Sequence, residues 1–231
     1  MCSVENFTGN LKFIKDKIAK AAARVKRNPD SVRIMAVTKT FPAEAVRTAR
    51  SCGIRLFGEN RVQEAAAKYS SLDFKPELHL IGHLQRNKVK TAVGLFDCIE
   101  SVDKLETALA IDKESAFIDK TSAILVEINT SGEESKFGIR DENAYFSLLD
   151  HLLELQHIQI RGLMTVGPFT EDVAESRRAF IRLRNLFLKT RERYALQEFD
   201  CLSMGMSSDF EVAIEEGSSL IRIGTALFGS R

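Results

Sequence analysis

Hydrophobic positions along the chain follow two patterns in alternation, one spaced by threes and fours and the other short and near-continuous. Over about residues 4–25, Phe7, Leu11, Ile14, Ile18 and Ala21-Ala22 form one stripe with lysines between, which predicts an amphipathic helix. Val32, Ile34, Met35, Ala36 and Val37 then form a run that ends on Lys39 and is closed by Phe41-Pro42. Such a run suits a strand buried on both faces, and Pro42 opens a helix over 43–51. The same alternation recurs to the end. It predicts strands at 54–60 (stopping at Gly58), 77–82, 96–101, 123–129, 158–166, 199–204 and 220–223. Helices are predicted over about 61–69, 85–93, 103–119, 143–155, 173–193 and 209–216, with Ser101 or Asp103 as candidate cap of the third.

Eight short strands alternating with helices predict a single (β/α)₈ TIM barrel, one domain spanning residues 1–231. The segment after Ile223 is too short for a full last helix, so the N-terminal helix is expected to take that place in the outer ring. A doubly wound open sheet is the alternative. The 4 prolines and 13 glycines are too scattered to mark a linker.

Composition narrows the function classes. A hydrophobic share of 44% suffices for a large core, and a net charge of +1 gives no electrostatic case for nucleic acid or an anionic membrane as partner. No apolar run approaches the roughly twenty residues of a membrane span, and residues 1–6 lack a signal-peptide layout. Cys2, Cys52, Cys98 and Cys201 lie far apart with no C-x-x-C pair, which argues for reduced thiols and a cytoplasmic setting.

Barrel chemistry sits at the C-terminal strand ends, often with phosphate held after strands seven and eight. Those ends carry Lys39; Gly58, Glu59 and Asn60; Gly82 and His83; Asn129; Met164; Ser203, Gly205 and Ser207; and Arg222, Gly224 and Thr225. A partly desolvated lysine there has a lowered pKa and an amine free to form a Schiff base; it also reads as a solvated lysine at a strand exit. Gly205 and Gly224 would let backbone N–H groups approach an anion, or serve tight turns only. Ser208 followed by Glu211 fits a capping box, whose helix would aim its free donors at the same place. His79 and His83 lie on a strand and its exit, not on one helix face, so a metal pair is not expected. The 177–193 stretch reads as a solvated basic face or a docking face.

Several stretches resemble the pyridoxal 5′-phosphate homeostasis protein family (YggS/PROSC type), which shares the barrel of the alanine racemase N-terminal domain. They are Ala36-Val37-Thr38-Lys39-Thr40, Phe57-Gly58-Glu59-Asn60, His79-Leu80-Ile81-Gly82-His83-Leu84-Gln85-Arg86-Asn87-Lys88, the run from Asn129 to Gly138, Arg161-Gly162-Leu163-Met164, Leu202-Ser203-Met204-Gly205-Met206-Ser207 and Arg222-Ile223-Gly224-Thr225. Leu78 and Leu80 are small departures from a motif that more often carries aromatic or other bulky residues. The resemblance covers essentially the whole chain and implies pyridoxal 5′-phosphate as cofactor. It implies that Lys39 forms the internal aldimine, that Ser203, Ser207, Gly224 and Thr225 hold the phosphate, that Asn60 lies beside the ring, and that Arg222 faces the pyridine nitrogen. A guanidinium there only donates, so the ring is a weaker electron sink than one paired to an aspartate.

The role so implied is a cytoplasmic carrier and buffer in vitamin B6 homeostasis that supplies apo-enzymes, with no robust catalysis. The enzyme alternatives are a weak pyridoxal-phosphate-dependent amino-acid racemase and a lysine-dependent aldolase. Racemases of this fold type add a β-rich domain with an opposing tyrosine, whereas Tyr69, Tyr145 and Tyr194 all fall on predicted outer helices. Lys136 reads either as a surface residue or as a second transient aldehyde site, and a monomer is expected.

Overall fold

A computed structural model describes residues 3–229. The elements in order are α1 (Val4–Arg24), β1 (Arg33–Val37), α2 (Ala43–Ser51), β2 (Leu56–Glu59), α3 (Val62–Tyr69), β3 (Glu77–Leu80), α4 (Val89–Leu95) and β4 (Cys98–Val102). They continue with α5 (Leu105–Phe117), β5 (Ser122–Glu127), α6 (Glu142–Leu152), β6 (Ile158–Met164), α7 (Val173–Arg193), β7 (Cys201–Ser203), α8 (Phe210–Glu215), β8 (Leu220–Ile223) and α9 (Thr225–Phe228). The strands are parallel and pair in sequence order, with β8 closing on β1 through Met35 opposite Arg222. The expected (β/α)₈ barrel is therefore present, and the open sheet is not.

Period-two alternation sorts the strand side chains. Leu78, Leu80, Ile99, Ile124, Leu163, Leu202, Ile221 and Ile223 face outward into one large apolar layer shared with the helices. The barrel interior holds only small apolar clusters, Met35, Val37, Leu56 and Leu220 in one and Cys98, Leu125 and Met164 in another. Much of the rest of the interior is polar, with His79, Glu100, Glu127, Ser203 and Arg222 all buried there. α9 is a single turn, and α1 packs against it as expected, with Phe7 and Phe228 at 5.3 Å between ring centroids and Asn10 Nδ2 donating to the Leu227 carbonyl at 2.9 Å.

Local expectations fail where a side chain has a stronger partner elsewhere. α5 starts after Lys104 without a side-chain cap, because Ser101 donates to the Gly82 carbonyl at 2.7 Å and Asp103 accepts the Gly138 N–H at 3.3 Å. The predicted 85–93 helix begins as a 3₁₀ turn at Arg86–Lys88 and becomes α-helical only from Val89. The basic face of α7 is largely neutralised by its neighbours: Arg177 pairs with Glu215 and Glu216, and Arg184 with Glu216. Cys52, Cys98 and Cys201 are free thiols, while Cys2 lies outside the described residues. No helix among the described residues is long and apolar enough to cross a membrane.

Candidate functional site

Lys39 stands two residues beyond β1, partly buried, between the fully buried Thr38 and the exposed Thr40. Thr40 has φ +64°, a left-handed conformation that β-branched residues rarely adopt. The chain accepts it because α3 grips both sides of Lys39. Lys68, itself buried, donates from Nζ to the Thr38 carbonyl at 2.6 Å, to Glu59 Oε1 at 2.7 Å and to Glu64 Oε1 at 3.1 Å. Glu64 Oε1 also accepts the Thr40 N–H at 2.5 Å. Thr38 Oγ1 donates to Glu59 at 2.6 Å and lies 2.9 Å from the Tyr69 hydroxyl. Burial raises the pKa of the Glu59 carboxyl and of the Tyr69 phenol. Tyr69 is thus on an outer helix as expected, but its hydroxyl reaches the segment that carries Lys39.

A second polar chain fills the barrel axis. At its foot, Arg33 and Glu77 pair at 2.6 Å, and Glu77 lies 3.3 Å from His79 Nε2. His79 Nδ1 meets Glu100 Oε1 at 2.6 Å, and Glu100 Oε2 accepts from Ser203 Oγ at 2.6 Å. Arg222 closes the chain at the mouth, donating to Ser203 Oγ at 2.7 Å, to the Ser203 carbonyl at 2.8 Å and to the Thr165 carbonyl at 2.6 Å. Burial opposes charge on His79, but the Glu100 and Glu77 contacts outweigh it and raise the ring to about 9. Burial lowers Arg222 from its very high ordinary value.

Ser203, expected among the phosphate ligands, points along the barrel axis between Glu100 and Arg222. Its hydroxyl is fully buried, spends its one O–H on Glu100 and accepts from Arg222, so it supports the guanidinium. Ser207 does meet the β8–α9 turn, where its Oγ accepts the Ala226 N–H at 3.2 Å beside Gly224 and the exposed Thr225. Gly205 has φ +95°, and a Cβ there would come within 2.6 Å of Ala213 Cβ, so it serves the packing of α8. The capping box at Ser208 does not form. α8 starts after Asp209, whose carboxylate accepts the Met206 N–H at 2.6 Å, and Glu211 turns outward to Lys17.

Across the mouth, Asn60 and His83 line a cavity of ≈ 330 Å³ with Arg61, Gln85 and Lys88. Asn60 Oδ1 and His83 Nδ1 are buried without a hydrogen-bond partner among the described residues. Buried polar atoms are normally paired, so two orphans in one cavity fit a polar ligand. A larger groove of ≈ 1170 Å³ runs outside, between α1 and α2, and meets the site only at Thr40 and Phe41. The 130–140 loop straps the mouth: the Phe137 ring stacks on His83 at 4.1 Å, and Lys136 Nζ reaches Glu133 at 2.5 Å and the Gly167 carbonyl at 3.0 Å. Asn129, expected in the ring of site groups, organises that loop by donating to the Glu133 and Lys136 carbonyls.

Sequence reasoning missed Glu127, Glu100 and Lys68. Glu127 is buried at the C-terminal end of β5, where burial first and Asp103 second raise it to about 7 against the pull of Arg222. Strand alternation was the available signal: with Ile99 facing outward, Glu100 faces inward, and the same step places Ser203 and Arg222. Lys68 carries no such mark. Among the described residues no group of three or more His, Cys, Asp or Glu is placed to hold a metal ion.

Residues 10–231 match the family described as alanine racemase, N-terminal domain. A pyridoxal phosphate homeostasis protein of Aquifex aeolicus is 40% identical over 227 residues, 98% of this chain and 99% of that one. The Escherichia coli protein of the same name is 36% identical over 230 residues, 96% of this chain and 95% of that one. Among solved structures, PipY of Synechococcus elongatus with PLP bound aligns at a TM-score of 0.81 and 37% identity, covering 92% of this chain and 100% of that one. Alanine racemase of Clostridium difficile shares the fold at a TM-score of 0.74 and 16% identity; this chain covers 57% of it. The chain belongs to the alanine racemase N-terminal domain family, within its group of pyridoxal phosphate homeostasis proteins.

Proposed function

We propose that this protein binds pyridoxal 5′-phosphate at the C-terminal mouth of the barrel and serves vitamin B6 homeostasis by holding the cofactor and releasing it to apo-enzymes. The observation that carries this reading is the buried Arg222 guanidinium, fixed by Ser203 and Thr165 beside the strand whose exit bears Lys39. The homeostasis proteins of Aquifex aeolicus and Escherichia coli and the PLP-bound PipY support it. The cofactor supplies an aldehyde that a lysine amine takes as a Schiff base, with loss of water. Lys39 is that lysine. Ser207, Gly224 and Thr225 hold the phosphate through hydroxyl and backbone donors, and Asn60 lies beside the ring. Arg222 donates toward the pyridine nitrogen and disfavours its protonation. Ser203 acts one step removed, by holding Arg222.

The protein is proposed to work as a cytoplasmic monomer of one barrel domain without robust catalysis. Two-sided proton transfer needs an acid or base on each face of the substrate. Tyr69, the tyrosine nearest Lys39 in sequence position and contact, has its hydroxyl buried against Thr38 and its acidity weakened. A weak racemase is the second reading, kept alive by the shared racemase fold and by Glu127, a buried carboxyl near neutrality. The purified protein should be yellow with pyridoxal phosphate and lose the band on borohydride reduction. The Lys39→Ala variant should not form the band. A colourless protein that takes up no added cofactor overturns the reading, and steady conversion of L- to D-alanine moves it to the racemase.

A further inference from the structure

A residue's backbone direction is set by the two peptide planes that bracket it, because those planes define its φ and ψ. Both planes around Lys39 are held from outside, and both by α3. The Thr38 carbonyl, in the plane before Lys39, accepts Lys68 Nζ at 2.6 Å; the Thr40 N–H, in the plane after it, donates to Glu64 at 2.5 Å. Lys68 and Glu64 are themselves joined at 3.1 Å, one helical turn apart. The ammonium spends its remaining donor on Glu59, which also takes the Thr38 hydroxyl. The clamp works against a real cost, since a threonine at φ +64° is strained and the surroundings must hold it there. Neither Lys68 nor Glu64 lines the cavity at Asn60 and His83.

We propose that the Lys68–Glu64 pair of α3 is a positioning device for Lys39: it fixes the strained turn on both sides of that residue and so aims its amine at the cofactor's aldehyde carbon. The step it serves forms a C=N bond between the Lys39 nitrogen and that carbon, breaks the C=O bond, and releases the oxygen as water with two protons from the ammonium form, the third returning to solvent. The inference rests on the proposed cofactor role of Lys39. Because Lys68 and Glu64 lie outside the cavity lining, removing the clamp should weaken chiefly binding that uses the lysine.

The test compares pyridoxal phosphate with pyridoxamine phosphate, which has the same ring and phosphate but an amine in place of the aldehyde. Lys68→Met leaves Glu59 buried without its cation and can fail to fold, so Glu64→Ala, at the partly exposed rim, is the primary variant. Equilibrium titrations by absorbance and fluorescence, with circular dichroism to show a native fold, should find pyridoxal phosphate bound ~10- to 100-fold more weakly and pyridoxamine phosphate within about twofold of the parent. Glu64→Gln keeps an acceptor oxygen for the Thr40 N–H and should recover most of the loss. Thr40→Asn in the Glu64→Ala background should also recover it, because asparagine enters the left-handed region readily. Equal weakening of both ligands, or no change in either, overturns the proposal. Lys39→Ala is the separate control: if it binds pyridoxal phosphate as tightly as the parent, the Schiff-base reading fails, and the positioning role falls with it.

Discussion

At the scale of single residues, Glu127 makes the sharpest demand on experiment. Its carboxyl is buried at the end of β5, and burial with Asp103 holds it at about 7, above the ordinary value of 4.5. The folded protein therefore keeps a proton there that the unfolded chain releases near pH 4.5. Between those values the folded state binds more protons, so this group's contribution to stability falls as pH rises and its full cost is present above about pH 7. Glu127→Gln removes the ionisation while keeping the shape. In urea unfolding of the apoprotein, the variant should match the parent near pH 4.5 and exceed it by up to ~3 kcal/mol at pH 8. A gain of the same size at both pH values would mean that packing, not charge, is being read. Ser203 teaches the converse lesson. A serine in a Gly/Ser-rich loop looks like a phosphate ligand, yet here its one O–H is already spent on the buried Glu100.

At the scale of elements, the site is built where two strand exits come unusually close. A Cβ on Gly82 would lie 2.3 Å from the Asn60 carbonyl oxygen and 2.8 Å from its Cα, so only glycine lets the exits of β2 and β3 meet. Gly82→Ala should lower stability by about 2–4 kcal/mol and displace Asn60, weakening cofactor binding; unchanged binding in a folded variant would argue that Asn60 is not a ligand. The alternation of short apolar runs and amphipathic stripes made the eight strands and the role of α1 legible, because those patterns report burial directly. The mouth residues Lys39, Asn60, Ser207, Arg222, Gly224 and Thr225 were legible for a related reason, since the barrel rule names strand ends without needing side-chain detail. Partner choice was not. Whether Asp103 caps α5 or takes Gly138 depends on a loop arriving 35 residues later, and whether Lys68 faces solvent or Thr38 depends on a threonine 30 residues earlier. The Arg177 and Arg184 pairs with α8 are of this kind too. Half-exposed as they are, they contribute little each, about 0–1 kcal/mol, and serve mainly to seat α7 on α8.

At the scale of the whole molecule, the barrel is organised around a polar axis instead of a dry core. From Arg33 at the foot through Glu77, His79, Glu100 and Ser203 to Arg222 at the mouth, each group is paired to the next. Burying so much charge is costly, and apolar residues of similar volume often do as well for stability alone. What the axis provides is a fixed, buried guanidinium at the mouth, held by Ser203 and Thr165, which the proposed function uses as a donor to the cofactor ring. Glu100 is its keystone, wholly buried and bridging His79 to Ser203. Glu100→Ala should cost ~3–5 kcal/mol, because it strands His79 and loosens Ser203. The His79→Leu and Glu100→Leu double variant should recover much of that stability by replacing the pair with apolar volume, yet it should not recover tight cofactor binding, since Ser203 would still lack the acceptor that orients it under Arg222. Urea midpoints and cofactor titrations on the same samples separate the two quantities. If the double variant regains binding together with stability, the axis is a packing solution and the orientation of Arg222 does not depend on it. If stability returns alone, the buried charges are there for the site, and the barrel gives up stability to hold one arginine still.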